Sequence, residues 1–143
     1  MIFVDASAII SMMTGQDGAD ELIDRLAKER ERICSAVVMF ESVAGLCRAY
    51  TYSVNQARDA VKSFLEVNEL QFVGIGEREF ELAIRAYAEF GAGRHPAGLT
   101  MGDCFSYACA KANKAALLFS GEAFARTDIR SARLQRHGEG SGA

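Results

Sequence analysis

The sequence predicts an α/β protein in which a short parallel sheet is covered by helices on both faces. The strand-like runs, such as residues 2–4 and 115–119, are short and apolar throughout. Such runs are typical of parallel strands that helices bury on both sides. Between them lie longer segments whose apolar residues recur every three or four positions, which is the period of an amphipathic helix. This alternation of strand and helix indicates a parallel sheet with helical crossovers.

The first half of the chain is predicted to contain two strands and four helices. Asp5-Ala6-Ser7 ends the first strand, residues 15–18 form a turn, and Ser35 is a good helix cap. The predicted elements are a strand over 2–4, helices over 8–13 and 17–30, a strand over 32–35, and helices over 36–52 and 54–68. The inward face of the 17–30 helix comprises Ala19, Leu22, Ile23, Leu26 and Ala27.

The second half is predicted to add two strands and two helices. These elements are a strand over 70–75, a helix over 77–90, a glycine-rich loop over 91–98, a helix over 100–113, a strand over 115–119, and a loop or short helix over 120–129. The inward face of the 77–90 helix comprises Phe80, Ala83, Ile84, Tyr87 and Ala88. We expect one domain over residues 1–130 and a flexible tail over 131–143, disordered over its last residues, 138–143.

The composition argues against several classes of protein. No window approaches the roughly 18–20 apolar residues of a membrane span, and the N-terminus lacks the basic region of a signal peptide. The net charge of −3 provides no overall basic field for nucleic acid. The cysteines form no C-x-x-C pair and have no histidine at zinc spacing, so we expect free thiols in a cytoplasmic protein. They are Cys34, Cys47, Cys104 and Cys109.

Three acidic residues lie in unusually apolar surroundings. Asp5 follows the first strand, Glu41 lies within an apolar helix, and Asp103 is in the first turn of another apolar helix. Ionised carboxylates are costly to bury unless a partner or ligand compensates their charge. Carboxylate oxygens suit a hard cation such as Mg²⁺ or Mn²⁺. We therefore expect Asp5, Glu41 and Asp103 to meet and to hold a divalent metal ion.

Each acid also has an alternative explanation that needs no metal. Asp5 or Ser7 can cap the helix that follows, and Thr100-x-x-Asp103 matches a capping box loosely. Such a cap is worth about 0.5–2 kcal/mol. Glu41 can lie on an exposed helix edge or pair with Arg48. Capping and metal binding are compatible roles, so the alternatives stay open.

Several strings in the chain resemble PIN-domain ribonucleases, and more narrowly VapC-type toxins of bacterial toxin–antitoxin pairs. The likeness covers residues 1 to about 130. The Gly-Asp-Cys-Phe-x-Tyr-Ala string is its most specific part. The strings are Met1-Ile2-Phe3-Val4-Asp5-Ala6-Ser7-Ala8, Glu41 in its apolar helix, Gly98-Leu99-Thr100-Met101-Gly102-Asp103-Cys104-Phe105-Ser106-Tyr107-Ala108 and Leu117-Leu118-Phe119-Ser120-Gly121.

The resemblance implies a PIN-like three-layer sandwich and a Mg²⁺- or Mn²⁺-dependent endoribonuclease that acts as a toxin. Asp5, Glu41 and Asp103 match the metal-binding acids of the family. Ser7 matches a hydroxyl residue that orients the first Asp. Thr100 stands where this branch often has Asn, and we expect it, at the start of the helix, to orient Asp103. The family further implies an RNA substrate, a VapB-like antitoxin as partner, and a homodimer.

The chain departs from the family after its last strand. There the family often supplies a fourth acid, and the corresponding stretch, Gly121-Glu122-Ala123-Phe124, contains only Glu122, with Asp128 nearby. This departure leaves open a catalytically weakened PIN-like module that mainly binds a partner protein. A phosphotransfer protein with Asp5 as the phosphorylated residue is a third hypothesis, but it asks for a second acid where Ser7 stands.

Contacts to RNA are less evident in the sequence. Arg94 and His95 in the glycine-rich loop, and Arg126 near the end of the domain, are candidates for phosphate contacts. Solvated surface charges are the alternative reading of these residues. Arg130, Arg133 and Arg136 extend the same basic stretch toward the C-terminus.

Overall fold

A computed structural model describes residues 1–133 and has a four-stranded parallel sheet in the order β3-β2-β1-β4. Phe3 of β1 lies opposite Ile33 of β2 and Leu117 of β4. This architecture confirms the predicted α/β class. The strands are β1 Ile2–Val4, β2 Arg32–Cys34, β3 Gln71–Phe72 and β4 Ala116–Leu118.

Six α-helices within the described residues connect these strands, and a short 3₁₀ helix, Phe124–Arg126, follows β4. Parallel crossovers are right-handed, which places the four helices before β3 over one face of the sheet and the two helices after β3 over the other. The strand order reverses between β1 and β4. In open α/β sheets, ligand-binding sites lie at the carboxyl ends of the strands beside such a reversal. The helices are α1 Ala6–Thr14, α2 Ala19–Ala27, α3 Ala36–Ala49, α4 Val54–Val67, α5 Glu77–Phe90 and α6 Met101–Ala112.

The two central strands form the middle of the hydrophobic core. Every residue of β1, together with Leu117, Leu118 and Phe119 at β4, is fully excluded from solvent. Burial of one such side chain contributes about 1.5–3 kcal/mol to stability. Because β1 and β4 are buried in the core, the residues that directly follow them are held in fixed positions. These residues form the first part of the candidate site.

Two predicted features of the second half differ from the structure. The predicted strand over 70–75 shrinks to Gln71–Phe72, which pairs with β2 at one edge of the sheet. The predicted inward face of α5 is right at the buried Ala83 but wrong at Phe80, Ile84 and Tyr87, which are 44–50% exposed, and at the exposed Ala88. Helix α5 instead packs on α6 through the small residues Ala83 and Ala86, which let the two helices approach closely.

The exposure of Ile23 is a smaller difference of the same kind. It was predicted on the inward face of α2, and its side chain is 46% exposed, while Leu22 and Leu26 are buried. The four cysteines are free thiols, as expected. Burial raises the pKa of Cys34 to about 12 and the pKa values of Cys104 and Cys109 to about 11, with smaller contributions from nearby groups.

The described chain ends with three residues that pack on the domain. Ser131 bridges to Leu117 of β4, and Arg25 Nε donates a hydrogen bond of 2.6 Å to the Ala132 carbonyl. The guanidinium of Arg133 lies over the Phe119 ring. Thus the first three residues of the predicted tail, 131–143, contact the core, and the rest of that tail, including Arg136 and residues 138–143, lies outside the described residues. Within residues 1–133, no helix is long and apolar enough to span a bilayer.

Candidate active site

Asp5 is held in place by two serine side chains at the carboxyl end of β1. It is the N-cap of α1, where its Oδ2 accepts hydrogen bonds from the Ser7 amide at 2.9 Å and the Ser7 hydroxyl at 2.6 Å. Its Oδ1 accepts a hydrogen bond of 2.6 Å from Ser106 Oγ on α6. The Ser120 amide, just past β4, donates in turn to Ser7 Oγ. The carboxylate, only 3% exposed, is therefore oriented from three segments of the chain.

Glu41 reaches the site from the second turn of α3. This helix begins directly after β2, where Ser35 Oγ accepts a hydrogen bond from the Val38 amide. The Glu41 carboxylate lies against Gly102 in the first turn of α6, and a Cβ built on Gly102 would be 1.8 Å from Glu41 Oε2. The absence of a side chain at Gly102 is thus what allows Glu41 to sit beside Asp103.

Asp103 lies in the capping box at the start of α6. Its Oδ2 accepts a hydrogen bond of 3.0 Å from the Thr100 amide, and Thr100 Oγ1 accepts one of 3.3 Å from the Asp103 amide. The capping roles of Asp5, Thr100 and Asp103 are therefore confirmed. These caps use Oδ2 of Asp103 and leave its Oδ1 available, so they are compatible with a second role.

The three carboxylates act on one another electrostatically. Burial raises the pKa of Glu41 to about 7, the charges of Asp5 and Asp103 add to the rise, and Arg48 opposes it. Burial also raises the pKa of Asp103, and Asp5 adds to the effect, while the hydrogen bonds with Thr100 act in the opposite direction. The structure thus brings the three predicted acids together, and their mutual repulsion is not neutralised by any ion pair to them within residues 1–133.

This donor set fits a hard divalent cation. Within residues 1–133, no group of three or more His, Cys, Asp or Glu side chains is arranged so that all of its members could hold one metal ion. Magnesium does not require one, because it commonly keeps several waters and binds one or two carboxylates plus a substrate phosphate. The crowded carboxylates and the raised pKa of Glu41 are the features that a cation would relieve.

The two candidates for a fourth acid lie in different places. Glu122 is exposed, two residues past Ser120, whose amide contacts Ser7. Asp128 accepts hydrogen bonds from Tyr107 and Lys111, on later turns of α6 than Asp103. Those bonds lower the pKa of Asp128, chiefly through Tyr107, and engage both of its oxygens away from the three acids.

The predicted RNA-contacting residues belong to the loop before α6 or contact it. His95 Nδ1 accepts a hydrogen bond from the Ala97 amide, and its ring packs edge-on against Phe90, so His95 stabilises the loop. Arg94 is exposed and stacks over Tyr87. Arg126 is exposed and donates a long hydrogen bond of 3.4 Å to the Pro96 carbonyl.

Sequence reasoning missed the roles of Ser106 and Gly102 and named Arg48 only as a partner for an ion pair with Glu41. Ser106 donates to Asp5, Gly102 makes room for Glu41, and Arg48 acts on Glu41 without pairing with it. A partial signal was available, because Gly102 and Ser106 lie one residue before and three residues after Asp103 on a buried helix. Their partners are 61 and 101 positions away in the chain, which local spacing does not reveal.

Comparisons with known proteins identify the family of this chain. The family model described as "PIN domain" matches residues 2–130. The chain belongs to the PIN-domain family. Within it, the chain is 34% identical to a VapC ribonuclease of Rhizobium meliloti (strain 1021) over 141 residues, covering 90% of this chain and 99% of the relative. It is 37% identical to ribonuclease VapC28 of Mycobacterium tuberculosis over 134 residues, covering 92% and 97%.

Solved structures with low sequence identity share the fold. Mycobacterium tuberculosis VapC20, described as a toxin that cleaves the sarcin–ricin loop, matches with a TM-score of 0.73 at 15% identity, covering 94% of this chain and all of that one. VapBC-1 of nontypeable Haemophilus influenzae matches with a TM-score of 0.69 at 17% identity, covering 92% and 96%. The recognised resemblance to PIN-domain proteins of the VapC type is therefore confirmed, and so is the PIN-like fold.

Replacing Glu41 by glutamine should flatten the pH dependence of stability in metal-free protein. A raised pKa means that the folded state binds the Glu41 proton more tightly than the unfolded state does. The stability that this proton contributes is therefore fully present below about pH 4.5 and is lost as the pH rises through about 7. After discounting for solvent screening, we expect the free energy of unfolding of wild type to fall by about 1–2 kcal/mol relative to that of Glu41→Gln over this pH range. Urea unfolding in EDTA from pH 4 to pH 8 measures the difference.

The exposed Glu81 of α5 provides the control for this measurement, because Glu81→Gln leaves the carboxylate cluster untouched. Its stability should follow the wild-type curve at every pH. Parallel curves for wild type and Glu41→Gln would contradict the prediction.

Proposed function

We propose that this VapC-family chain is a Mg²⁺- or Mn²⁺-dependent endoribonuclease and acts as the toxin of a toxin–antitoxin pair. The observation that carries the proposal is the convergence of Asp5, Glu41 and Asp103, from three distant segments, at the carboxyl ends of β1 and β2 and the start of α6. Relatives that the chain matches over nearly their whole length are named as VapC ribonucleases, which supports the same class of reaction.

In the proposed reaction, Asp5, Glu41 and Asp103 hold the cation. When bound, the ion supplies a Lewis acid for the phosphodiester and lowers the pKa of a bound water. Ser7 and Ser106 keep the Asp5 carboxylate oriented. Glu41 would hold the ion as a carboxylate, because a bound cation offsets the burial and the charges of Asp5 and Asp103 that raise its pKa in the metal-free protein.

Arg48 is the residue that we propose for contact with the RNA backbone near the acids. It lies on the same face of α3 as Glu41 and Gly45, and its Nη2 is 4.0 Å from the position that a Cβ on Gly45 would take. Within residues 1–133, its guanidinium forms no ion pair or hydrogen bond. A cation in this position can bind a phosphate without first breaking a hydrogen bond or an ion pair. Arg94 and Arg126 are exposed and remain candidates for more distant phosphates.

Replacing Arg48 by methionine should weaken RNA binding while keeping the length of the side chain. We expect a roughly five- to tenfold higher Kd for single-stranded RNA at low salt, with the slope of log K against log salt reduced by about 0.7. Fluorescence anisotropy in EDTA measures both. Arg58→Met is the matched control, because Arg58 is exposed on α4 and paired with Asp59. Equal Kd values for the two variants would contradict this role.

We propose two protein partners for the chain. Structures that share its fold include complexes titled as VapBC, which supports a VapB-like antitoxin. A homodimer is supported by the exposed apolar stripe of α5, formed by Phe80, Ile84 and Tyr87. The free cysteines support a reducing compartment, in keeping with the cytoplasm.

The test of the proposed function is cleavage of RNA by the purified chain, freed of any antitoxin. We expect cleavage in Mg²⁺ or Mn²⁺, none in EDTA, and recovery when the metal is restored in excess. Intact RNA in both metals would overturn the proposal. Co-purification with host nuclease is excluded when an Asp5→Ala preparation, made identically, leaves the RNA uncut.

The second candidate function is a PIN-like module that mainly binds a partner. The position of Asp128 favours it, because that acid is bonded to Tyr107 and Lys111 and leaves only Glu122 near the end of β4. Metal titration distinguishes the two functions. A binding module should be indifferent to Mn²⁺ and to Asp103→Asn, whereas a nuclease should lose metal affinity in that variant.

A further inference from the structure

Ser106 has a hydrogen bond that is unusual for a serine inside a helix. Helical serines commonly return their hydroxyl to the carbonyl four residues earlier, as buried Ser42 does with the Val38 carbonyl at 2.8 Å. Ser106 is equally buried, at 1% exposure, yet its Oγ donates to Asp5 Oδ1 at 2.6 Å. The hydroxyl therefore serves a residue on another element, 101 positions away.

The contact completes the orientation of the Asp5 carboxylate. Ser7 bonds only Oδ2, so by itself it leaves the carboxylate free to turn about that oxygen. The bond from Ser106 holds Oδ1 as well and defines the plane of the group. Residues that hydrogen-bond metal-binding carboxylates typically change affinity or activity 10- to 100-fold when they are removed.

Ser106 also couples the positions of two of the three acids, Asp5 and Asp103. It follows Asp103 by three residues, so the same face of α6 presents the Asp103 carboxylate and the Ser106 hydroxyl. Any shift of α6 relative to β1 therefore changes the position of Asp103 and the bond to Asp5 together.

From these contacts, we infer that Ser106 is a positioning residue that holds Asp5 in the orientation needed to bind the divalent cation. This inference rests on the proposed function. The role of Ser106 differs from that of Ser7, which donates to the other oxygen of Asp5 from the first turn of α1. Because the Ser106 hydroxyl donates to Asp5, its effect is expected in metal affinity before any effect on the fold.

The test compares Mn²⁺ affinity of wild type, Ser106→Ala and Ser42→Ala by titration calorimetry on metal-free protein. We expect a roughly tenfold or greater rise in Kd for Ser106→Ala. Ser42→Ala removes an equally buried hydroxyl bond whose acceptor is a backbone carbonyl and not an acid, and it should keep the wild-type Kd. Unfolding curves in EDTA establish that both variants are folded. Ser106→Cys has a larger side chain that donates only weakly, and it should not restore the affinity for Mn²⁺.

A double-mutant cycle with Asp5→Asn separates positioning from general stability. If Ser106 acts through Asp5, Ser106→Ala should change the residual Mn²⁺ affinity of Asp5→Asn far less than that of wild type. Equal Kd values for wild type and Ser106→Ala, or full additivity in the cycle, would overturn the inference alone. A wild-type chain that binds no Mn²⁺ would overturn the proposed function and this inference together.

Discussion

Replacement of Asp5 by asparagine is expected to lower RNA cleavage by about 10³-fold or more, which corresponds to about 4 kcal/mol of lost transition-state stabilisation. The substitution is nearly isosteric and removes the charge that would bind the cation. Asparagine caps helices as well as aspartate does, so it can keep the bond with the Ser7 amide. Its amide group can donate to Ser106 Oγ, where the carboxylate accepted. The fold should therefore survive.

Single-turnover cleavage in Mn²⁺ measures this effect, with far-UV circular dichroism and thermal unfolding as checks of the fold. Asp59→Asn is the matched control, because Asp59 lies on α4 with its side chain 70% exposed and should leave cleavage unchanged. In EDTA, Asp5→Asn should be at least as stable as wild type, since one of three repelling charges is gone. Cleavage within tenfold of wild type would show that Asp5 does not bind the catalytic ion.

Replacement of Gly102 by alanine is expected to lower cleavage at least 100-fold without unfolding the protein. The added Cβ would lie 1.8 Å from Glu41 Oε2, so the carboxylate has to leave its place beside Asp103. The displaced atoms lie at the end of the flexible Glu41 side chain. The acids therefore lose their arrangement while the core keeps its packing. Alanine also favours the helix over glycine by about 0.8–1 kcal/mol, which supports the stability of the variant.

Two further variants distinguish displacement of Glu41 from a general disturbance. Gly74→Ala places its Cβ in open space and should cleave like wild type. In Glu41→Ala/Gly102→Ala, the clash is absent, and cleavage should equal that of Glu41→Ala alone. A Gly102→Ala protein with wild-type kcat and Mn²⁺ affinity would mean that the observed Glu41 position is unimportant for the reaction.

Local patterns predicted the elements that local physics controls. The helix starts at Ser35 and Thr100 were visible because a cap depends on residues within one turn. The prediction that Asp5 follows the first strand was right because the run before it is wholly apolar. The prediction for α5 was wrong at its large residues because its period identified a helix but not which side would meet α6. Its large residues stay exposed, and Ala83 and Ala86 make the contact instead.

The sequence by itself determined the α/β class, the approximate bounds of the helices and the three acids that stand in apolar surroundings. Short-range periodicity, capping chemistry and the cost of burying charge are sufficient for these conclusions. Only the tertiary structure decided that Ser106 holds Asp5, that Gly102 admits Glu41, and that Asp128 bonds Tyr107 instead of the acids. The physical reason is that these contacts depend on how β1, α3 and α6 pack together, and no spacing along one segment contains that information.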